Sequence, residues 1–213
     1  MDFLPTPLAD YVELYTQAED DVLKKLNRET NANIQYPRML SGHLQGQILK
    51  MFSKMIRPSN ILEIGTYTGY SAICLSAGLR NNGKLHSIEI NPELEEMIQK
   101  YINLAGLKEK VELHFGNALE IIPTLKPIFD LVFIDADKIN YSNYFDLVIE
   151  KLPHGAYIIA DNMLWSGKVI DPTEKQDADT AALVAFAKKV QADPRVENVL
   201  FPVRDGLMVM RKI

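Results

Sequence analysis

The sequence of 213 residues contains a single cysteine, Cys74, and no apolar run that approaches the roughly 18 residues of a membrane-spanning helix. One cysteine excludes an intrachain disulfide and is typical of proteins from a reducing compartment. The N-terminus also lacks the basic start and apolar segment of a secretory signal. We therefore expect a cytoplasmic protein that does not bind membranes.

The sequence also has no excess of positive charge: 28 acidic residues outnumber 23 Lys and Arg residues, so the net charge is −5 and the pI is about 5.4. This balance argues against nucleic-acid binding through bulk electrostatics, although it is compatible with a local basic patch. The sequence has no internal repeat, low-complexity tract or linker-like change in composition. With 47% hydrophobic residues, it predicts one domain over residues 1–213.

The apolar pattern predicts two helices, at 7–27 and 43–56, separated by a loop at 27–42. From residue 59 onwards, short apolar runs alternate with helical patterns, and the last two runs are joined by a short turn. Five strands alternating with helices predict an α/β fold with a doubly wound, parallel sheet, and the last two runs predict an antiparallel hairpin at its edge. Such sheets bind ligands beyond the carboxyl ends of their strands.

A glycine-containing turn follows the first predicted strand in the stretch "ILEIGTYTGYSA", which contains Glu63, Gly65 and Gly69. Its spacing is not the G-x-G-x-x-G pattern of dinucleotide sites. An acidic residue before the glycines suits a ligand with a cationic amino-acid portion, and Glu89 at the next strand end could accept both hydroxyls of a ribose. The combination favours S-adenosylmethionine over NAD. The alternative is an ordinary strand–helix turn.

Two later strands end in polar oxygen ligands: "LVFIDADK" leads into Asp135, and "YIIADN" leads into Asp161 and Asn162. Carboxylate and amide oxygens favour Mg²⁺, Ca²⁺ or Mn²⁺ over zinc. The alternative is a pair of solvated strand ends. A zinc site is not expected, because no paired ligand spacing occurs among the four histidines, which are His43, His86, His114 and His154.

Lys138 lies three residues after Asp135, so a helical turn would bring its amine back towards the acids. Like charge from a metal ion and a sulfonium would favour the neutral amine, which can act as a general base. The alternative is an ordinary surface lysine at the start of a helix.

Taken together, these stretches resemble the metal-dependent class I S-adenosylmethionine O-methyltransferases of the catechol and caffeoyl-CoA type, in their bacterial branch. The matching segments are "RMLSGHLQGQIL", "ILEIGTYTGYSA", "HSIEINPE", "FIDADKINY" and "IIADNMLWSG". The resemblance covers residues from about 36 to 210. It implies a mostly parallel, seven-stranded, Rossmann-like sheet with an antiparallel C-terminal hairpin, and N-terminal helices (about 6–56) packed over the sheet and the active site.

By position, the resemblance implies that Asp135, Asp161 and Asn162 are metal ligands and that Lys138 is the catalytic base. The implied cofactor-binding residues are Met39, Ser41, Glu63, Gly65, Tyr67, Gly69, Ser71, Glu89, Gly116, Ala118 and Asp135. The implied reaction methylates one hydroxyl of a small vicinal aromatic diol chelated by the metal, most simply Mg²⁺, with Ca²⁺ and Mn²⁺ as alternatives. A homodimer is also implied.

Asp137 and Pro37 depart from the aromatic residues of animal catechol enzymes, which leaves the substrate open. Some bacterial relatives methylate 5-hydroxyuridine in tRNA, and four basic residues could form a phosphate-binding rim: Arg28, Arg38, Lys168 and Lys175. More distant alternatives are an NAD-dependent oxidoreductase, which would need a pyrophosphate loop that this sequence lacks, and a non-catalytic nucleotide-binding module.

Overall fold

A computed structural model describes residues 4–213, so the first three residues of the predicted domain lie outside the described residues. In this range the α-helices are α1 (Thr6–Leu14), α2 (Asp21–Asn33), α3 (Gly42–Ile56), α4 (Tyr70–Ser76), α5 (Glu95–Leu104), α6 (Ala118–Thr124), α7 (Tyr141–Ile149) and α8 (Ala178–Ala192). The strands are β1 (Asn60–Ile64), β2 (Lys84–Glu89), β3 (Val111–Phe115), β4 (Leu131–Ile134), β5 (Tyr157–Ala160), β6 (Val196–Phe201) and β7 (Leu207–Lys212). No helix within 4–213 is long and apolar enough to cross a membrane.

The seven strands form one sheet in the order β3-β2-β1-β4-β5-β7-β6. Strands β1 to β5 are parallel, and β7 pairs antiparallel with both β5 and β6. The predicted mostly parallel sheet and antiparallel C-terminal hairpin are therefore confirmed. The chain reverses its winding direction between β1 and β4, and the crevice beyond these two strand ends is where such sheets bind ligands.

Strand β4, at the centre of the sheet, is apolar throughout because helices cover both faces of the sheet. Alternate side chains of β4 show this: Val132 and Ile134 pack in the core beneath α6, α7 and α8, whereas Leu131 and Phe133 pack beneath α2 to α5. All four are fully buried. A polar side chain that follows such a strand is therefore held at a rigid point on the sheet's edge.

The N-terminal region differs from the prediction of one helix over 7–27 followed by a loop. The helix is interrupted after Leu14, and Asp20 starts α2 by accepting a hydrogen bond from the Leu23 N–H. Helix α2 then continues to Asn33, through the first part of the predicted loop. Tertiary packing explains this extension, because Thr30 is fully buried and its hydroxyl donates to Thr68 Oγ1 at 3.2 Å.

Candidate active site

The turns after β1 and β4 touch each other at the point where the strand order reverses. Gly65 has φ +97°, and a Cβ atom at this position would lie 1.9 Å from the Asp135 carbonyl oxygen. Only glycine fits such a contact. The glycine therefore allows a close approach to the protein's own backbone, which brings the glycine turn against Asp135.

Glu89 holds this turn in place from the end of β2. Its Oε2 atom accepts a hydrogen bond from the Tyr67 N–H at 2.6 Å, and its Oε1 atom accepts one from the Asn91 N–H at 2.9 Å. The side chain is buried. Each carboxylate oxygen has a further lone pair. Glu89 therefore organises the loop and retains the capacity to accept two hydroxyl hydrogen bonds.

Glu63 is fully buried beneath the same turn. The Ser87 hydroxyl donates to its Oε2 atom, whereas Oε1 has no hydrogen-bond partner among the described residues. Burial, together with repulsion from Asp135 and Glu89, raises the pKa of Glu63 to about 8. A buried acid with an unmet oxygen suits a cationic ligand, which would favour its ionised form.

The raised pKa of Glu63 predicts a pH dependence of stability in the ligand-free protein. The group loses its proton near its ordinary value of 4.5 when unfolded but near 8 when folded. The folded state therefore binds more protons in this window, and the free energy of unfolding falls as pH rises, by up to about 1.4 kcal/mol per pH unit. Glu63→Gln should remove the contribution of Glu63 to this slope and gain stability, relative to the wild type, on the order of a few kcal/mol between pH 5 and 8.

Urea denaturation at several pH values between 5 and 8 would measure this effect. Glu93→Gln, which changes an exposed glutamate, is the matched control and should keep the wild-type slope. Equal slopes for the wild type and Glu63→Gln would contradict the prediction.

The carboxylates predicted as metal ligands converge from β4 and β5. Asp161 is buried, with its Oδ2 atom accepting from Gln45 Nε2 at 2.5 Å and its Oδ1 atom accepting from the Asn162 N–H at 2.7 Å. Burial, and then repulsion from Asp135, raises the pKa of Asp161 above its ordinary value. Asn162 follows with φ +60°, a left-handed conformation that asparagine tolerates.

This set of ligands fits a hard divalent cation. Asp135, Asp161 and Asn162 offer only oxygen ligands to such an ion, as Mg²⁺ prefers. A cation between the two carboxylates would also relieve the repulsion that raises the pKa of Asp161. The residues present therefore match the predicted kind of metal site.

Lys138 lies beside these acids and is only 8% exposed. Its Nζ atom donates to Asp135 Oδ1 at 3.2 Å and to the Tyr141 hydroxyl at 2.7 Å. The Tyr141 hydroxyl in turn donates to the Asp161 carbonyl oxygen at 3.1 Å. Lys138 is thus a buried amine in a fixed position rather than a mobile surface lysine, and its hydrogen bonds link β4 to β5.

The other predicted cofactor residues lie on segments that border the same crevice. The Tyr67 hydroxyl donates to the Gln35 carbonyl oxygen at 3.1 Å, which ties the glycine turn to the segment containing Met39 and Ser41.

Gly116 follows β3, and its N–H donates to the Glu89 carbonyl oxygen at 2.9 Å. The remaining positions are Gly69 before α4, Ser71 within α4 and Ala118 at the start of α6. Their roles stay predictions.

Sequence reasoning missed two residues that build this site, Gln45 and Tyr141. Gln45 lies on the buried face of α3 beside Gly46 and Leu49, so a polar residue interrupting an apolar stripe was the available signal. Tyr141 lies three residues after Lys138, one helical turn further, but nothing in the sequence shows that its hydroxyl is fully buried.

Comparisons with known proteins agree with this arrangement. A family model described as O-methyltransferase matches residues 13–213. Caffeoyl-CoA O-methyltransferase 1 from Eucalyptus globulus is 36% identical over 208 residues, covering 92% of this chain and 83% of that protein. The SAH-bound methyltransferase PaMTH1 from Podospora anserina has a TM-score of 0.90 and 26% identity, with 100% of this chain and 99% of that chain covered. TomG, an O-methyltransferase from Streptomyces achromogenes solved in complex with SAM, has a TM-score of 0.89 and 28% identity, with 97% and 96% covered.

Proposed function

The chain belongs to this O-methyltransferase family, as its motifs predict, and we propose that it methylates one hydroxyl of a vicinal aromatic diol of the catechol or caffeoyl type. The methyl donor is S-adenosylmethionine, which is consistent with the SAM and SAH complexes of the two structural relatives. The reaction requires a divalent cation, most simply Mg²⁺.

One observation carries this proposal: a buried amine lies 3.2 Å from one of two converging carboxylates at the crevice of a methyltransferase-type sheet. Asp135, Asp161 and Asn162 would hold the cation, and Lys138 is positioned beside it. A diol with two adjacent hydroxyls suits this combination of a cation and a base, because one metal ion can bind both oxygens.

Four of the chain's own residues have a task in this proposal. Glu89 binds the ribose, and Glu63 lies beneath the cationic part of the donor. Lys138 removes the proton from the hydroxyl that accepts the methyl group, and Tyr141 keeps the amine in place. When bound, the divalent ion would supply positive charge beside the diol, which favours the ionised phenol. Most of the rate acceleration then comes from orientation and electrostatics.

The alternative substrate, 5-hydroxyuridine in tRNA, would need a basic rim around the crevice. Lys168 is one of the four candidate residues, and its amine is paired with Asp177 at 3.0 Å. This ion pair makes Lys168 less available to a phosphate, and the net charge of −5 also disfavours RNA. We therefore favour the small diol.

The predicted homodimer remains a proposal, and α1 is the surface that would form it. No described residue of α1 is buried, and Leu8, Tyr11 and Leu14 on this helix are all largely exposed. Sedimentation equilibrium would detect the dimer, and a monomer at every concentration would contradict it. The cytoplasmic location also remains a prediction, to be tested by cell fractionation.

The direct test measures S-adenosylhomocysteine release with caffeic acid or caffeoyl-CoA, with and without EDTA. We expect turnover with the diol, its loss in EDTA and its recovery when excess Mg²⁺ is added. Mn²⁺ and Ca²⁺, added back separately, would identify the preferred ion. The matched control substrate is p-coumaric acid, which has one hydroxyl and cannot chelate the ion, so it should not be methylated.

Each contradictory outcome points to a different part of the proposal. Turnover that resists EDTA would refute the metal requirement. Equal rates with caffeic and p-coumaric acid would refute the chelated diol. An absence of turnover with any diol, together with intact S-adenosylmethionine binding, would favour the hydroxyuridine substrate and a strongly salt-dependent reaction.

A further inference from the structure

A second group of potential metal ligands lies on β2 and β3, within the strands rather than beyond their ends. This group, the β2–β3 histidine cluster, consists of His86, Glu112 and His114, whose ligand atoms all lie within 4.8 Å of one another. His86 is directly opposite Glu112 in the parallel register. His114 is two residues after Glu112 and so projects from the same face of the sheet.

The distances within the cluster match those of a metal site. His86 Nδ1 lies 3.2 Å from His114 Nε2 and 3.4 Å from Glu112 Oε2. Two ligand atoms bound to one tetrahedral Zn²⁺ at about 2.0–2.1 Å lie roughly 3.3 Å apart. Both observed distances are close to this value. The three atoms are therefore close enough to share one ion once the two imidazoles, whose rings are nearly parallel, turn their lone pairs towards it.

We propose that the β2–β3 histidine cluster binds a borderline divalent transition metal such as Zn²⁺, which fixes the edge strand β3 to β2. Two imidazoles and one carboxylate are a ligand set that zinc uses in proteins, with a fourth position left for water. The proposal concerns a site separate from the crevice and does not rest on the proposed function.

The ligand sets of the two sites predict that they select different ions. The crevice offers only oxygen atoms, which suit Mg²⁺, whereas the β2–β3 histidine cluster offers two nitrogen atoms, which suit zinc and its neighbours. The oxygen ligands of the crevice follow β4 and β5, whereas the β2–β3 histidine cluster lies on two other strands. A transition metal should therefore bind at the histidines even when excess Mg²⁺ occupies the oxygen ligands.

The surroundings of the cluster are compatible with metal binding. Glu112 pairs with Lys84 through Oε1 at 3.4 Å, which leaves Oε2 on the histidine side. The Glu112 side chain is 46% exposed and so provides a path for an ion from solvent, whereas the His86 side chain is 7% exposed and stacks edge-on against Phe129. Burial lowers the pKa of both histidines, which favours the neutral imidazole that binds metals.

Without a metal, the same geometry serves as a hydrogen bond between the two imidazoles, one of them donating through its N–H. This is the ordinary structural explanation of the cluster. It predicts no specific metal affinity, so a binding measurement separates it from the proposal.

The experiment is a zinc titration of the full chain in excess Mg²⁺, competed against a chromophoric chelator. We expect one Zn²⁺ per chain. His114→Gln should weaken binding at least about 100-fold and Glu112→Gln about 10-fold, since even changes outside the ligand sphere cost 10- to 100-fold. His154→Gln is the matched control, because His154 is an exposed histidine on another part of the chain, and it should bind zinc like the wild type.

Substitution of Co²⁺ for Zn²⁺ gives a second measurement that does not depend on the variants. A four-coordinate site with nitrogen ligands should give strong visible absorption bands, and His114→Gln should remove them if it folds. Glu112→Gln changes an exposed side chain to its neutral isostere and keeps the test decisive if His114→Gln does not fold. The proposal is overturned by the absence of saturable zinc binding, by equal affinities in the wild type and Glu112→Gln, or by a six-coordinate Co²⁺ spectrum.

Discussion

Asp161→Asn is expected to weaken the binding of Mg²⁺ or Mn²⁺ by at least about 100-fold. Even the loss of a residue that only hydrogen-bonds to a metal ligand lowers metal affinity about 10- to 100-fold. The substitution removes one negative charge and almost no volume. The asparagine carbonyl oxygen can still accept the hydrogen bond from the Asn162 N–H. The asparagine NH2 group would replace the oxygen that accepts from Gln45, and a flip of the Gln45 amide would restore this hydrogen bond in the opposite direction, so the loop should keep its shape. Methyl transfer at subsaturating metal should fall in parallel, because the chelated diol would lose its ion.

Mn²⁺ titration followed by electron paramagnetic resonance would measure the affinity, and calorimetry would show whether S-adenosylmethionine still binds. Asp137→Asn is the matched control, since Asp137 lies two residues after Asp135 and is exposed. Its carboxylate accepts from the Tyr144 hydroxyl at 2.5 Å and is not a predicted ligand. We expect less than about a threefold change in its metal affinity, which is the size of a modest surface charge effect. Equal losses in both variants would mean that general negative charge, rather than coordination by Asp161, holds the ion.

The position of the candidate site could be predicted from the sequence because strand ends are geometric landmarks. Asp135 follows a wholly apolar run, and Asp161 and Asn162 follow another. The carboxyl ends of parallel strands lie at one edge of the sheet. The alternating pattern of strands and helices is therefore enough to predict that these polar residues lie close together. The same argument placed Gly65 and Glu89 at this edge.

What the sequence did not predict depends on contacts between distant segments. The Asp161 carboxylate is held by Gln45, which lies 116 residues earlier in the chain. His86 and His114 are 28 residues apart and meet only because β2 pairs with β3 in one particular register. Register is determined by packing of the whole sheet and leaves no local pattern, so the spacing of the histidines could not indicate this pair.

The break between α1 and α2 has a different cause. The apolar spacing over 7–27 is continuous enough to suggest one helix, but Asp20 offers a better N-cap than the uninterrupted helix would allow. The chain therefore begins a second helix at Asp20, a local capping signal that the apolar pattern obscured. The error shows that periodicity predicts the presence of helix more reliably than its ends.

Lys138→Met is expected to lower kcat by about 10²- to 10⁴-fold, the range typical of losing a general base. Methionine resembles lysine in length and apolar contact and fits the buried stem of the side chain. The diol is proposed to bind through the metal, so its KM should change much less than kcat. The variant's rate should also rise with pH up to the ionisation of the bound phenol, because the proton must then leave without the amine.

Two comparisons separate a base from a charge that merely positions the substrate. Lys138→Arg keeps the positive charge but cannot lose its proton in the physiological range, so it should be nearly as impaired as Lys138→Met. A more acidic diol, 4-nitrocatechol, should narrow the gap between the wild type and both variants, because its hydroxyl ionises with less help. Substantial activity in Lys138→Arg, with no dependence on the acidity of the diol, would assign Lys138 an electrostatic role. In that case the Nζ contacts with Asp135 and Tyr141 would serve to hold a charge, and deprotonation would depend on the metal alone.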